Sequence, residues 1–169
     1  LPICDGHALL AKAAVYGIAK AVHTTPDLRA LCRQIYRALN TLMPAQSFAI
    51  ALLDPEDDER FSYVYAADRD TDSEPWAVRW PRSRLAHVAR TRTPMRLTVA
   101  TTERMVESGA IELYGLPPSA WVGAPLIVGD RVIGAIGARH DDADDPYVDG
   151  DVDLMAFIAR EVAVGIERK

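Results

Sequence analysis

Trp121-Val-Gly-Ala-Pro-Leu-Ile-Val-Gly-Asp-Arg-Val-Ile-Gly-Ala-Ile-Gly-Ala-Arg139 decides how the chain folds. Two apolar, β-branched runs flank the pair Gly129-Asp130. Glycine at the first central position supplies a positive φ, so the pair reads as the turn of a tight β-hairpin. Neither run alternates cleanly with polar residues, so both faces of the hairpin are expected to be covered. An acidic loop, Asp141 to Asp151, follows, and then an amphipathic helix to the last residue. Val152, Met155, Ile158 or Ala159, Val162 and Ile166 mark one face of that helix, while Leu154 and Phe157 widen its apolar surface beyond one stripe. A buried hairpin followed by a helix implies a sheet with helices packed on it.

The segments before the hairpin extend the pattern. His7 to Val22 has helical spacing at Leu10, Ala14, Gly17, Ile18, Ala21 and Val22. Thr25-Pro26-Asp27 reads as a helix start, with a capping hydroxyl, proline at the first helical position and an acid near the positive end. Leu28, Leu31, Ile35, Leu39 and Leu42 share a face of that second helix, which Pro44 ends. Phe48 to Leu53 reads as a central strand and Asp54 to Asp58 as a polar turn. Phe61, Tyr63 and Tyr65 then alternate as the aromatic face of a partner strand. Asp68 to Arg82 is the least regular part. Leu85, Val88 and Ala89 imply a short helix, Met95, Leu97 and Val99 a short strand, and Thr101 or Thr102 the cap of another short helix. The order is α+β with a central antiparallel sheet. The opening and closing helices are expected on one sheet face, and the irregular middle on the other, where it can enclose a pocket.

The bulk properties exclude several classes. At 169 residues and 49% hydrophobic content the chain suits one domain with a sizeable core. A net charge of −5 gives no basic footprint for nucleic acid. No apolar run approaches the roughly 20 residues of a membrane span, and no signal peptide is visible. Cys4 and Cys32 have no zinc-like spacing and read as thiols of a reducing compartment, so the expected localisation is cytoplasmic. The acids Asp141, Asp142, Asp144, Asp145, Asp149, Asp151 and Asp153 do not fit an EF-hand and read as a solvated turn before a helix. No Gly-x-Ser-x-Gly and no P-loop occurs, so no catalytic residue, metal or cofactor is expected. The chain lacks an initiator Met and stops within a helical pattern, and it reads as one domain, 1–169, excised from a longer protein. Its expected parts are N-terminal helices over 1–44, a sheet with a variable pocket segment over 45–140, and a signalling helix over 149–169.

Several stretches resemble the GAF domain, a small-molecule-sensing module of signalling proteins. They are Val22-His23-Thr24, Leu42-Met43-Pro44-Ala45 and Ile50-Ala51-Leu52-Leu53-Asp54-Pro55, then Gly115 through Leu126, Gly129-Asp130-Arg131-Val132-Ile133-Gly134, and Ala163 through Lys169. The likeness spans about Val15 to Lys169 and is strongest to GAF domains joined to PAS modules, histidine kinases or diguanylate cyclases in bacteria. It implies a sheet of about six antiparallel strands with helices on one face and a ligand cavity on the other. It also implies a homodimer through the first and last helices, which continue into neighbouring PAS, kinase or cyclase domains. The cyclic-nucleotide subgroup's Asn-Lys…Phe…Asp-Glu signature is absent. Cys4 and Cys32 do not occupy the positions used by bilin-binding or free methionine sulfoxide reductase relatives. Where relatives often carry a Gly-rich turn, this chain has Trp80-Pro81-Arg82-Ser83-Arg84.

The expected ligand contacts are Tyr65, Trp76, Arg79, Trp80, Arg96 and Trp121, around an unknown small molecule. Trp76, Arg79 and Trp80 occupy the segment expected to lid the cavity, where indoles and a guanidinium can stack on a planar ligand or hold a carboxylate; otherwise the indoles close an apolar lid. Tyr63 and Tyr65, with Phe48, Ile50 and Leu52 on the same side, form either a cavity wall or ordinary core. Trp121 ends in the cavity or against a helix. Arg96 and Arg139 need an anionic partner if they point inward, and are strand-edge cations if they do not. Two functions fit: a sensor that shifts helix packing when ligand binds, or a ligand-free dimerising spacer.

Overall fold

The two runs of the decisive stretch pair as expected. β6 (Ala120–Val128) and β7 (Arg131–His140) run antiparallel around Gly129, whose φ of 61° only glycine adopts freely. In this computed structural model, which describes residues 2–69, 71–115, 117–142, 144 and 146–168, side chains are described from residue 12 onward. The readings for the side chains of Cys4, His7 and Leu10, and for Leu116 and Asp145, lie outside the described residues. Positions 120–126 and 134–138 are buried, so the hairpin is covered on both sides.

Strand β1 (Ser47–Asp54) pairs with β7, and β2 (Asp57–Asp68) with β1; β5 (Met95–Thr98) joins the far edge on β6. The antiparallel order is β3-β2-β1-β7-β6-β5, with β4 also on β2. β3 (Thr71–Asp72) and β4 (Trp76–Arg79) bring the described strands to seven. They lie in the segment expected to be irregular: both are too short, and too exposed at a sheet edge, to carry a period-2 pattern.

Helices α1 (Pro2–Thr24), α2 (Leu28–Asn40) and α5 (Asp149–Glu167) cover one sheet face. Leu31, Ile35, Leu39, Met155, Ile158 and Val162 pack there on Phe48, Ile50, Leu126 and Ile136. Each such side chain contributes about 1.5–3 kcal/mol by leaving water. α1 and α5 approach closely where a Cβ on Gly165 would stand 2.7 Å from Val22 Cγ1. On the opposite face, α3 (Arg84–Thr91) and α4 (Val99–Glu107) accompany a smaller core of Phe61, Tyr63, Leu85, Val88, Leu97, Ile111 and Trp121.

Three local readings need correction. α2 begins at Leu28, one residue past its cap Asp27, whose Oδ2 accepts the Ala30 amide hydrogen bond at 2.9 Å; Pro26 therefore precedes the cap. α4 is capped by Thr98, reciprocated by Thr101, so Val99 opens a helix and does not extend the strand. The third concerns β2. Ile50 pairs with Tyr65 and Ala51 with Tyr63, leaving Val64 as an inserted residue. Tyr63 and Phe61 face the smaller core, while Tyr65 and Ala67 turn to the helices. A bulge breaks the period of two, so the tyrosines point to opposite faces, and only Tyr65 joins Phe48 and Ile50.

Tyr65 has a structural role on that face. Its hydroxyl donates to Asp72 Oδ1 at 2.7 Å, while Arg33 Nε and Nη2 donate to Asp72 Oδ2 at 2.8 and 2.6 Å. The cluster fastens α2 to the edge strand β3. Burial alone would raise the Asp72 pKa, but the hydrogen bonds from Tyr65 and Arg33 and the nearby cationic charges outweigh it and hold the carboxyl below its usual value. A depressed carboxylate pKa stabilises the fold fully above the unfolded-state value, and that contribution is lost as pH falls through the folded-state value. Asp72→Asn should therefore lower stability at neutral pH and flatten its decline in acid. Urea midpoints measured from neutral pH down into the carboxylate range test this; parallel wild-type and variant curves would reject it.

Candidate functional site

Above the smaller core lies a cavity of about 370 Å³, within the range of small-molecule sites. Strands build its floor. Trp121 is 4% exposed, and its ring packs against two glycines. A Cβ on Gly123 would stand 2.2 Å from its Cη2, and one on Gly137 3.0 Å from its Cζ2. Glycine at these positions therefore makes the room for the indole.

Aromatic pairs build the walls. The antiparallel pairing of β4 with β2 sets Trp76 opposite Tyr63, and the rings stack at 4.5 Å and 5°. Trp80, just past β4, meets Tyr114 from the loop after α4 at 5.0 Å. Tyr114 is otherwise exposed, and Gly115 beside it turns the chain with a φ of 83°.

The polar groups converge at the start of α3. Ser83 is the N-cap, its Oγ accepting the Ala86 amide hydrogen bond at 3.0 Å. Arg84 follows, and its guanidinium lies 5.4 Å from the Trp121 ring centroid, a cation–π contact. Burial, and then the charge of Arg139, push the Arg84 pKa down to about 10, so the group stays cationic at neutral pH. Arg84 Nη1 and Trp80 Nε1 are buried with no hydrogen-bond partner among the described residues. Arg139, also at the cavity, stands 3.9 Å from Asp141. The acid on the rim, Asp68, already accepts a hydrogen bond from Ser47 Oγ at 2.7 Å.

Of the residues expected at the ligand, Trp76, Trp80 and Trp121 line this cavity. Tyr65, Arg79 and Arg96 lie elsewhere, each for a reason of register. The Val64 bulge turns Tyr65 to the helices. Along β4, Trp76 and Val78 face the cavity side, so Arg79 faces outward and pairs with Glu59. Along β5, Arg96 sits opposite Val122 on the helix-covered face, where its Nε donates to Asp149 Oδ1 at 3.0 Å and its Nη1 to the Tyr147 carbonyl at 3.3 Å. Tyr63, read from the sequence as either cavity wall or core, lines the cavity, whereas Ser83, Arg84 and Tyr114 were not among the expected contacts. One signal for Arg84 was readable: a cation in the first turn opposes the helix dipole, an arrangement that stability alone does not favour. No cluster of three or more potential metal ligands occurs among the described residues, the acidic loop included.

A family model for the GAF domain matches residues 27–166. The backbone is similar to the GAF domain of a phosphoenolpyruvate-protein phosphotransferase from Coxiella burnetii, with 12% identity, 95% of each chain covered and a TM-score of 0.76. It is also similar to free methionine-R-sulfoxide reductase from Neisseria meningitidis in complex with its substrate, with 15% identity, 95% of this chain and 90% of that one, and a TM-score of 0.69. The GAF-B domain of DevS from Mycobacterium smegmatis aligns at 22% identity over 84% of this chain and 94% of its own, with a TM-score of 0.61. No curated protein matches the sequence. The sequence match and the shared architecture show that this chain belongs to the GAF domain family, in general a regulatory module of sensing and signalling.

Proposed function

We propose that this chain is a small-molecule sensor whose cavity state biases the packing of α1 and α5 in a homodimer. The observation that carries the reading is the cavity itself, walled by aromatic rings and holding two buried, unpaired N–H donors. A module serving only as a spacer has no use for such groups and is better served by filling the space with its own side chains. The bulged strand β2 offers a route for coupling. It holds Tyr63 at the cavity and, two residues on, Tyr65 in the hydrogen-bonded cluster that fastens α2. A ligand acts by preferring one arrangement of this strand over another, which is a population shift.

The domains governed in this way would be the neighbouring PAS, kinase or cyclase modules of a cytoplasmic signalling protein. No described helix is long and apolar enough to cross a membrane. The reading is also non-catalytic. The sulfoxide reductase neighbour is an enzyme, but no cysteine among the described residues lines the cavity of this chain. Cys32 lies on the buried face of α2 in the helix-side core, and burial raises its thiol pKa to about 12, which leaves it a poor nucleophile.

Native mass spectrometry of the purified chain, against its denatured mass, tests the reading. The expected result is a dimer carrying a reproducible extra mass that disappears on denaturation. A dimer of bare mass, whose dimerisation constant is also unchanged by a panel of cellular metabolites, would favour the spacer.

A further inference from the structure

Resting on the sensor reading, we propose that the cavity takes a monoanionic organic carboxylate with a flat apolar body, its carboxylate held by Arg84 and the Trp80 indole N–H. The charge count in the cavity sets the sign. Arg84 and Arg139 supply two guanidiniums against the single carboxylate of Asp68, which sits on the rim and is occupied by Ser47. Arg139 has Asp141 within 3.9 Å, whereas Arg84 has no acidic partner among the described residues. Asp141 is shared with Arg69 at 3.8 Å, so the guanidiniums of Arg69, Arg84 and Arg139 face the two carboxylates of Asp68 and Asp141, and one cationic charge is left over. The arrangement suits one negative charge, and a dianion would meet Asp68 without a second free cation.

The donor geometry sets the kind of anion. A guanidinium is a rigid fork that matches two carboxylate oxygens. Nη1 of Arg84 and Nε1 of Trp80 are both buried and without partners among the described residues, on two side chains that line one cavity. Buried donors without acceptors are costly, and native proteins pair nearly all of them. Here the missing acceptor is what a bound carboxylate supplies. Arg84 also begins α3, whose positive end adds to the attraction. The rest of the ligand meets Tyr63, Trp76, Trp121 and Tyr114, faces that suit a flat ring. Neutral or cationic ligands would leave the Arg84 charge uncompensated.

Titration calorimetry on the purified chain tests this with benzoate and phenylacetate, neutral benzamide, and phenyl phosphate. Both carboxylates should bind, and benzamide at least about tenfold more weakly. Arg84→Gln should weaken benzoate binding by about 10- to 100-fold, and Arg84→Lys by less, because it keeps the charge and loses the fork. The decisive companion is the melting temperature without ligand. Arg84 is half-buried, with Nη1 enclosed and no acidic partner among the described residues, so Arg84→Gln should melt higher than wild type, by about 2–4 °C. A lower melting temperature would make Arg84 a structural residue and overturn the assignment. So would equal benzoate affinity in Arg84→Gln, tighter binding of phenyl phosphate, or no carboxylate binding at about 10 mM. Benzamide binding as tightly as benzoate would overturn the anion assignment and leave the sensor reading standing. A chain that binds none of the probes and retains no mass would fail on both.

Discussion

Gly134→Ala should destabilise the fold by about 3 kcal/mol or more, the largest expected effect of adding a single methyl group here. The added Cβ would stand 2.1 Å from the Ala51 carbonyl oxygen and 2.9 Å from Leu52 Cα. Both atoms are backbone, so no side-chain rotamer relieves the clash. Gly134 sits opposite both Leu52 and Leu126, at the centre of the sheet, next to a register shift in β7 that leaves Ile133 as an extra residue. Relief would require β1 and β7 to part, and with them the support of both cores. Against a total stability of about 5–15 kcal/mol, that loss is large. Urea unfolding followed by circular dichroism gives the value, and Gly150→Ala is the control. Gly150 lies in the first turn of α5 with nothing within 4 Å of an added Cβ, so alanine there should be neutral or stabilising by up to about 1 kcal/mol. Equal urea midpoints for Gly134→Ala and wild type would show that the two strands can separate at that point without loss.

Trp121→Ala should cost about 3–5 kcal/mol, in the range of buried large-to-small changes. The indole is the cavity floor, packs with Leu85 and Leu97 in the smaller core, and lies beneath the Arg84 guanidinium. Its removal extends the cavity downward and takes away the cation–π contact, so ligand affinity should fall together with stability. Gly123→Ala separates the two effects. Its methyl group would meet the ring at 2.2 Å, and the ring must tilt up into the cavity. That variant should lose about 1–3 kcal/mol, less than Trp121→Ala, while closing the site more completely. Chemical denaturation and calorimetry on both variants decide it. A Gly123→Ala chain that binds as wild type does would mean the ring has another resting place.

The hairpin of β6 and β7 was legible because its runs are long, apolar and joined by a glycine that needs a positive φ. Helices α2 and α5 were legible because their apolar stripes repeat over several turns. Tyr65 was misplaced because one inserted residue, Val64, reverses every side chain beyond it, and a periodic reading has no means of seeing an insertion. Arg79 and Arg96 were misplaced for a related reason. Each lies in a strand of four residues, where the choice of face depends on the partner's register and not on any local pattern. Trp76, Trp80 and Trp121 were placed at the cavity by their bulk and position. Arg84 entered the sequence reading only within Trp80-Pro81-Arg82-Ser83-Arg84, and its one signal, a cation opening a helix, went unused. Only the folded chain shows it half-buried, with Nη1 enclosed and no acidic partner among the described residues.

The chain holds three tryptophans, and all three border one cavity. Trp76 is 43% exposed at its edge, Trp80 has its N–H buried and unpaired, and Trp121 lies under a positive charge. The tryptophan emission of this chain, excited selectively above the tyrosine absorption, therefore originates at one place. A molecule that enters alters the surroundings of every indole at once, with no distant tryptophan to dilute the change. The domain thus carries its own optical label, and occupancy can be followed by colour and brightness in an unmodified chain.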